Sequence, residues 1–303
     1  MIYSSFLSPI DDYSNLPFRL LCQKYGAEAV CVPLINSTAI ARDRSKISIV
    51  DAHPDEKNIG VQIVGNDPNA IGVACKTIAE SMPFVSWLNI NCGCPSVRTM
   101  NTGGGSALLQ YPEKIVQSIL QIKNQVGIPV SVKIRIKNNF QDTLSLCKEL
   151  ERAGADFLII HGRTPQQGYS GKADWQFIKS LKERLNIPLV GNGDIISASQ
   201  GRKAVVDGCC DAFMIARAAM SNPLVFENGQ TKTTAEKFSI LEEYIFFYKR
   251  YIGKPELRDV KLKAVQFMSC APNAAELRNR ICRATSVEEI ESIKEVAHEN
   301  PDI

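Results

Sequence analysis

The chain has 303 residues, 45% hydrophobic and 22% charged, with a formal net charge of +3. These are ordinary globular values, which exclude disordered and fibrous classes, and no apolar run approaches membrane-spanning length. Without a basic, apolar N-terminal leader, and with ten cysteines in no disulfide-like framework, the sequence reads as a cytoplasmic protein with reduced thiols.

Eight short runs rich in β-branched and apolar residues begin near Tyr3, Ala29, Ile59, Val85, Val130, Asp156, Ile187 and Asp211. Their spacing of about 30 residues is that of a strand followed by a crossover helix. Most are apolar on both faces, as in Val130-Ser131-Val132-Lys133-Ile134-Arg135-Ile136, which suits a parallel sheet covered by helices. Helical patterning fills residues 69–81, 112–125, 141–153, 174–185 and 197–206. The fold class expected is α/β, a (β/α)8 TIM barrel followed by a small all-helical C-terminal domain. An open doubly wound sheet is the alternative, but no GxGxxG follows the first strand.

Strand signals stop after Pro223. From about residue 233 the pattern is helical, as in Phe238, Leu241, Tyr244, Ile245 and Tyr248. The small, polar stretch Asn228-Gly229-Gln230-Thr231-Lys232-Thr233 reads as a linker, dividing the chain into residues 1–230 and 231–303. Charge is uneven in this part. Residues 244–283 hold nine Lys/Arg against three Asp/Glu, a local +6, so a near-neutral total conceals a basic face.

A barrel carries its chemistry at the C-terminal ends of its strands. Strand 1 ends at Ser8-Pro9-Ile10-Asp11, strand 3 carries Gln62, and strand 4 ends at Asn89-Ile90-Asn91-Cys92-Gly93-Cys94-Pro95. Strand 5 carries Lys133 and Arg135, strand 6 ends at His161-Gly162-Arg163, strand 7 at Gly191-Asn192-Gly193-Asp194, and strand 8 at Ala216-Arg217. A purely structural barrel has no reason to gather polar groups there, since each unpaired one costs about 1–3 kcal/mol.

Asn192-Gly193-Asp194 and Arg217 have the character of a phosphate site after strands 7 and 8. Lys133 and Arg135 share a strand face and call for an anion or an electron-rich ligand. His161 could be a metal ligand, an acid–base or a hydrogen-bond donor, and with no carboxylate partner in sequence the donor role is favoured. Cys92 and Cys94 as a zinc pair would need two further ligands, and only Cys209-Cys210 and three scattered histidines remain, so no metal is expected. Cys94, between Gly93 and Pro95 in a loop, instead fits a reactive thiol. Gly103-Gly104-Gly105 reads as a tight turn rather than an anion cradle.

Taken together these segments resemble the tRNA-dihydrouridine synthases, flavoenzymes that reduce specific uridines in tRNA. The match runs in order through Ser8-Pro9-Ile10, Leu16-Pro17-Phe18-Arg19, Val61-Gln62-Ile63-Val64-Gly65, Asn91-Cys92-Gly93-Cys94-Pro95-Ser96 and Gly103-Gly104-Gly105-Ser106-Ala107-Leu108-Leu109. It continues through Val132-Lys133-Ile134-Arg135, His161-Gly162-Arg163-Thr164, Gly168-Tyr169-Ser170-Gly171, Asn192-Gly193-Asp194-Ile195, Ala216-Arg217 and Asn222-Pro223.

The resemblance implies that Cys94 is the general acid. It implies FMN contacts at Pro9, Ile10, Asp11, Gln62, Lys133 and His161, and FMN phosphate contacts at Asn192, Gly193, Asp194, Ala216 and Arg217. It implies contacts with tRNA or the target uracil at Asn91 and Arg135, NADPH as reductant, and a helical tRNA-recognition domain. The sequence departs from the family pattern in four places. Ser8-Pro9-Ile10 stands for Ala-Pro-Met, Asn89 for an aspartate, Ala216 for a glycine, and Lys263-Ala264 for Lys-His.

Reducing the C5–C6 bond of uracil needs a hydride at C6 and a proton at C5, and a thiol is a competent proton donor near neutral pH. The base must leave its stack to reach a barrel pocket. Lys263, Arg278, Arg280 and Arg283, within the basic stretch, are the expected tRNA phosphate contacts. The partner expected is tRNA, not DNA or membrane, and the chain is expected to act as a monomer. Two rivals stand beside this reading. One is a flavin barrel acting on free pyrimidines, which has no need of a basic helical appendage; the other is a barrel that binds RNA without catalysis.

Overall fold

In the computed structural model, residues 3–229 and 233–299 are described, apart from the side chains of Cys270 and of residues 295–299. Eight strands, β1 (Ser5–Leu7), β2 (Val30–Asn36), β3 (Ile59–Val64), β4 (Trp87–Cys92), β5 (Val130–Arg135), β6 (Phe157–His161), β7 (Leu189–Asn192) and β8 (Ala212–Ile215), form one parallel sheet in the order β1-β8-β7-β6-β5-β4-β3-β2. The edges meet where Leu7 N–H donates to the Ala29 carbonyl at 2.9 Å and Ala29 N–H to that of Ser5 at 3.0 Å. The strands therefore make a TIM barrel, with helices between them and at the C-terminus.

The strands alternate with α1 (Leu16–Lys24), α2 (Ser37–Arg42), α3 (Pro68–Ser81), α4 (Val97–Met100), α5 (Pro112–Lys123), α6 (Phe140–Arg152), α7 (Trp175–Lys182), α8 (Ala198–Val206) and α9 (Arg217–Ser221). Several start on a side-chain cap. Asp67, Asn139, Asp174 and Ser197 each accept a hydrogen bond from a first-turn N–H of α3, α6, α7 and α8. The five helices read from periodicity are present to within about two or three residues. Periodicity does not reveal α1 and α2. Seven of the nine residues of α1 are buried, so it has no polar face, and α2 is only six residues long.

Inside the barrel, Phe6, Trp87 and Phe157 meet at ring-centroid distances of 5.4–6.1 Å and close the N-terminal end. Hydrogen-bonded polar side chains occupy the interior toward the other end. After β8 come α10 (Thr234–Tyr251), α11 (Leu257–Phe267), α12 (Ala274–Arg283) and α13 (Val287–Glu299). A reciprocal capping box between Thr233 and Glu236 starts α10. Phe238, Leu241, Tyr244, Ile245 and Tyr248 face inward as their spacing predicts, and they share one apolar core with the outer shell of the barrel. The expected boundary and half of the linker, residues 230–232, lie outside the described residues.

Candidate active site

Strand register gathers the polar residues. Asn91 pairs with Lys133 across β4 and β5, Arg135 with His161 across β5 and β6, and His161 with Asn192 across β6 and β7. In-register parallel strands place all five at one end of the barrel. A cleft of about 910 Å³ opens there, bounded by Pro9, Ile10, Asp11, Gln62, Asn91, Cys94, Lys133, Arg135, His161, Asn192, Gly193, Asp194, Ala216 and Arg217. The expected cofactor contacts, Asn91, Cys94 and Arg135 all line this cleft, whereas Asn89, Cys92 and Arg163 of the same strand ends do not.

Lys133 is half-buried and donates to Asn192 Oδ1 at 3.1 Å. Burial, and then the neighbouring Arg135 charge, push its ammonium down to about 8. Burial also drives His161 down to about 2, with Lys133, Arg135, Arg163 and Arg217 adding to the shift. His161 is therefore a neutral imidazole, consistent with hydrogen bonding rather than proton storage.

Against the upward push of burial, its hydrogen bond from Arg163 holds Asp194 below the usual carboxylate range. The ion-pair distances are 2.8 Å to Arg163 and 3.0 Å to Arg217. Asp194 therefore organises two arginines beside the cleft. Gly193 has φ of +123°, and a Cβ there would lie 2.6 Å from that of Ala173, so only glycine fits the turn.

Cys94 is half-buried on the opposite side. Its N–H donates to Asn91 Oδ1 at 2.9 Å, and its Sγ lies 3.6 Å from Thr99 Oγ1. The glycine triplet packs against this turn, since a Cβ at Gly105 would sit 2.6 Å from the Cys94 carbonyl oxygen. Cys92 points away into the apolar shell, and burial pushes its thiol upward. Only one of the two cysteines reaches the cleft.

A family profile described as dihydrouridine synthase (Dus) matches residues 6–299. The chain belongs to the dihydrouridine synthase family. A probable tRNA-dihydrouridine synthase of Aquifex aeolicus is 29% identical, covering 94% of this chain and 92% of its own. Another from Rickettsia bellii is 32% identical over 91% of this chain and 88% of its own. tRNA-dihydrouridine synthase B of Pasteurella multocida is 34% identical over 78% and 71%. At the level of fold, a 2-naphthoyl-CoA reductase superposes with TM-score 0.59 at 11% identity, covering 74% of this chain and 49% of that one. A histamine dehydrogenase from Rhizobium gives 0.55 at 11%, covering 80% and 49%.

In this family member one site expectation is corrected outright. Lys263 is not a surface contact for phosphate. It is fully buried between α11 and the barrel, with Nζ 3.9 Å from the Tyr13 ring centroid, 5.3 Å from Tyr244 and 5.6 Å from Phe18. The other three candidates sit on α12, outside the cleft. Arg278 and Arg283 are exposed and Arg280 half-buried, while Leu277 and Ile281 of the same helix are buried. Arg135 has a different emphasis from the one expected. It is buried and donates to the carbonyls of Gly93, Thr164 and Gly168 at 2.7–3.0 Å, tying the Cys94 turn to the loop after β6.

Three residues with no assigned role also belong to the site. Tyr169 stands 65% exposed at the cleft, its ring 5.0 Å from the Arg217 guanidinium and 5.8 Å from that of Arg135. Thr99 meets the Cys94 thiol. Arg19, fully buried, binds Glu56 at 2.6 Å, Asp51 at 3.0 Å and the Ser14 carbonyl at 2.7 Å, fixing the loop that carries Pro9–Asp11. No local sequence signal marks the last, since Asp51 and Glu56 lie 32 and 37 residues on, ahead of β3.

Proposed function

We propose that this chain reduces uridine in tRNA to 5,6-dihydrouridine, with FMN as resident cofactor, NADPH as reductant and Cys94 as proton donor. The observation that carries the reading is a single cleft lined by Cys94, a half-buried Lys133, a neutral His161 and an arginine-flanked turn. The residues present fit a flavin mononucleotide. Gly193 leaves room for close backbone approach, Arg217 offers a guanidinium fork for a phosphate, and Pro9, Ile10 and Met214 offer apolar surface beside the polar Gln62, Lys133 and His161. A flavin held there would supply hydride chemistry toward C6 of the uracil ring.

The side chains do the rest. Lys133, with Asn192 as partner, would hold the cofactor ring and place a positive charge beside it. His161, kept neutral, hydrogen-bonds without adding a further cation. Arg135 holds the Cys94 turn against the cleft. Cys94 releases its thiol proton to C5, and the thiolate left behind regains one from solvent. The tRNA is bound through its phosphates, with Arg278, Arg280 and Arg283 among the contacts, and the chain works as a cytoplasmic monomer.

The test is purification with visible-absorbance scanning, then NADPH-dependent reduction of unmodified tRNA against free uridine. The expected result is a yellow protein active on tRNA and inactive on the free nucleoside. A colourless protein that takes up no added FMN overturns the cofactor reading, and equal activity on free uridine overturns the tRNA reading.

A further inference from the structure

Beneath the cleft, six hydrogen bonds made by side chains run in one direction down the barrel interior. The N–H groups of Gly93 and Cys94 donate to Asn91 Oδ1 at 3.1 and 2.9 Å. Asn91 Nδ2 donates to Gln62 Oε1, Gln62 Nε2 to Asn89 Oδ1, and Asn89 Nδ2 to Ser131 Oγ, each at 2.7 Å. Ser131 Oγ ends the run by donating to the Leu88 carbonyl at 3.2 Å. All four side chains are buried, so water does not offer them substitutes.

The two ends fix the direction. Backbone N–H groups can only donate, and a backbone carbonyl can only accept. Turning over Asn91 or Gln62 sets donor against donor at one neighbour and acceptor against acceptor at the other, while turning over Asn89 sets donor against donor at Gln62 and draws the Ser131 hydroxyl away from the Leu88 carbonyl. Turning over all of them faces Asn91 Nδ2 toward the Gly93 and Cys94 N–H groups and leaves the Leu88 carbonyl without the hydroxyl. One arrangement satisfies every group, and it presents an acceptor to the Cys94 turn.

We propose that Asn89 and Ser131, neither of which bounds the cleft, are positioning residues that hold the Cys94 turn closed by fixing the orientation of Gln62 and Asn91. The catalytic consequence rests on the function proposed above, while the geometric claim stands without it. Position 89 decides the matter. Aspartate there still accepts from Gln62 Nε2, and the Ser131 hydroxyl can turn to donate to it, so the orientation of Gln62 and Asn91 survives. Leucine, of similar size, offers no acceptor. Gln62 is then free to turn over, and the Cys94 turn loses its anchor.

The experiment compares the full chain with Asn89→Leu, Asn89→Asp, Ser131→Ala and Asn91→Ala. Iodoacetamide alkylation of Cys94 is followed peptide by peptide, with exposed Cys282 as reference in the same sample. An opened turn exposes the thiol more often, so labelling in Asn89→Leu should rise several-fold, to the level of Asn91→Ala. Asn89→Asp should label as the parent does. Ser131→Ala removes one oxygen and little bulk, should rise less in the same direction, and carries the test if Asn89→Leu does not fold.

With tRNA, Asn89→Leu should lower kcat while KM and the rate of flavin reduction by NADPH stay parental. Parental labelling of Cys94 in Asn89→Leu or Ser131→Ala overturns the proposal, as does Asn89→Asp behaving like the leucine variant. The labelling needs neither tRNA nor flavin. Its failure removes the positioning role alone, whereas a parent protein inactive on tRNA removes the proposed activity alone.

Discussion

Replacing Lys263 with methionine separates a buried cation from an RNA contact by two independent measurements. The side chain is fully buried, and among the described residues its Nζ has no hydrogen-bond partner. Burial holds the ammonium at about 8, against an ordinary 10.5, with Asp259 pulling the other way. Between those values the unfolded chain keeps a proton that the folded chain has lost. Stability contributed by this group therefore rises with pH from about 8 and levels off above 10.5. From pH 7 to pH 10 the rise amounts to about 2–3 kcal/mol.

Urea unfolding of parent and Lys263→Met at pH 7, 8.5 and 10 reads this directly, because other titrating groups cancel in the difference between the two proteins. The parent should gain on the variant by that amount across the series. Curves that stay parallel would refute the buried cation. In the second measurement, tRNA affinity is taken against salt. One lost phosphate contact lowers the slope by about 0.7–0.9, whereas a buried lysine leaves it unchanged. A shallower slope in Lys263→Met would show that the side chain reaches RNA.

Other expected outcomes follow from the same geometry. Cys94→Ala should leave flavin reduction by NADPH intact and stop tRNA reduction, while Cys92→Ala, whose thiol faces the apolar shell, should keep most activity in single-turnover assays. Arg217→Ala removes a charge-assisted phosphate contact of about 1.5–3 kcal/mol, so FMN titration should show affinity weakened about 10–100-fold. Glu56→Gln leaves buried Arg19 short of its closest carboxylate, and urea midpoints should register a loss of about 3–5 kcal/mol. Neutralising Arg278, Arg280 and Arg283 together should flatten the salt dependence of tRNA binding by up to about 2–3 in slope, with FMN content unchanged.

The barrel was legible because its signals are local and repeated. Strands buried on both faces read as β-branched runs, and crossover helices with one polar face read as a 3.6-residue period. Where either condition fails, the sequence is silent. Helix α1 lies almost wholly inside, so Leu16-Pro17-Phe18-Arg19-Leu20-Leu21-Cys22 shows no alternation, and its buried arginine is explained only by Asp51 and Glu56 some 30–40 residues on. Tyr169 likewise reads as an ordinary loop residue until folding sets Arg135 and Arg217 beside its ring.

The cleft and the basic face differ in legibility for a further physical reason. Polar residues at strand ends are costly to bury, so their presence in an apolar strand already carries information, and register alone brings them together. Lys and Arg on a helix cost nothing where they face water, so their sequence carries no such information. Lys263 shows the limit. Four residues from the exposed-type Asp259 on α11, it reads as one more surface cation, yet the helix turns it onto Tyr13 and Tyr244. Asp259 accepts hydrogen bonds from Asn15 and Tyr248 at the same junction. A charge count over residues 244–283 therefore overstates the cations available to RNA by at least this one, and the face remaining on α12 must be judged by the salt slope rather than by composition.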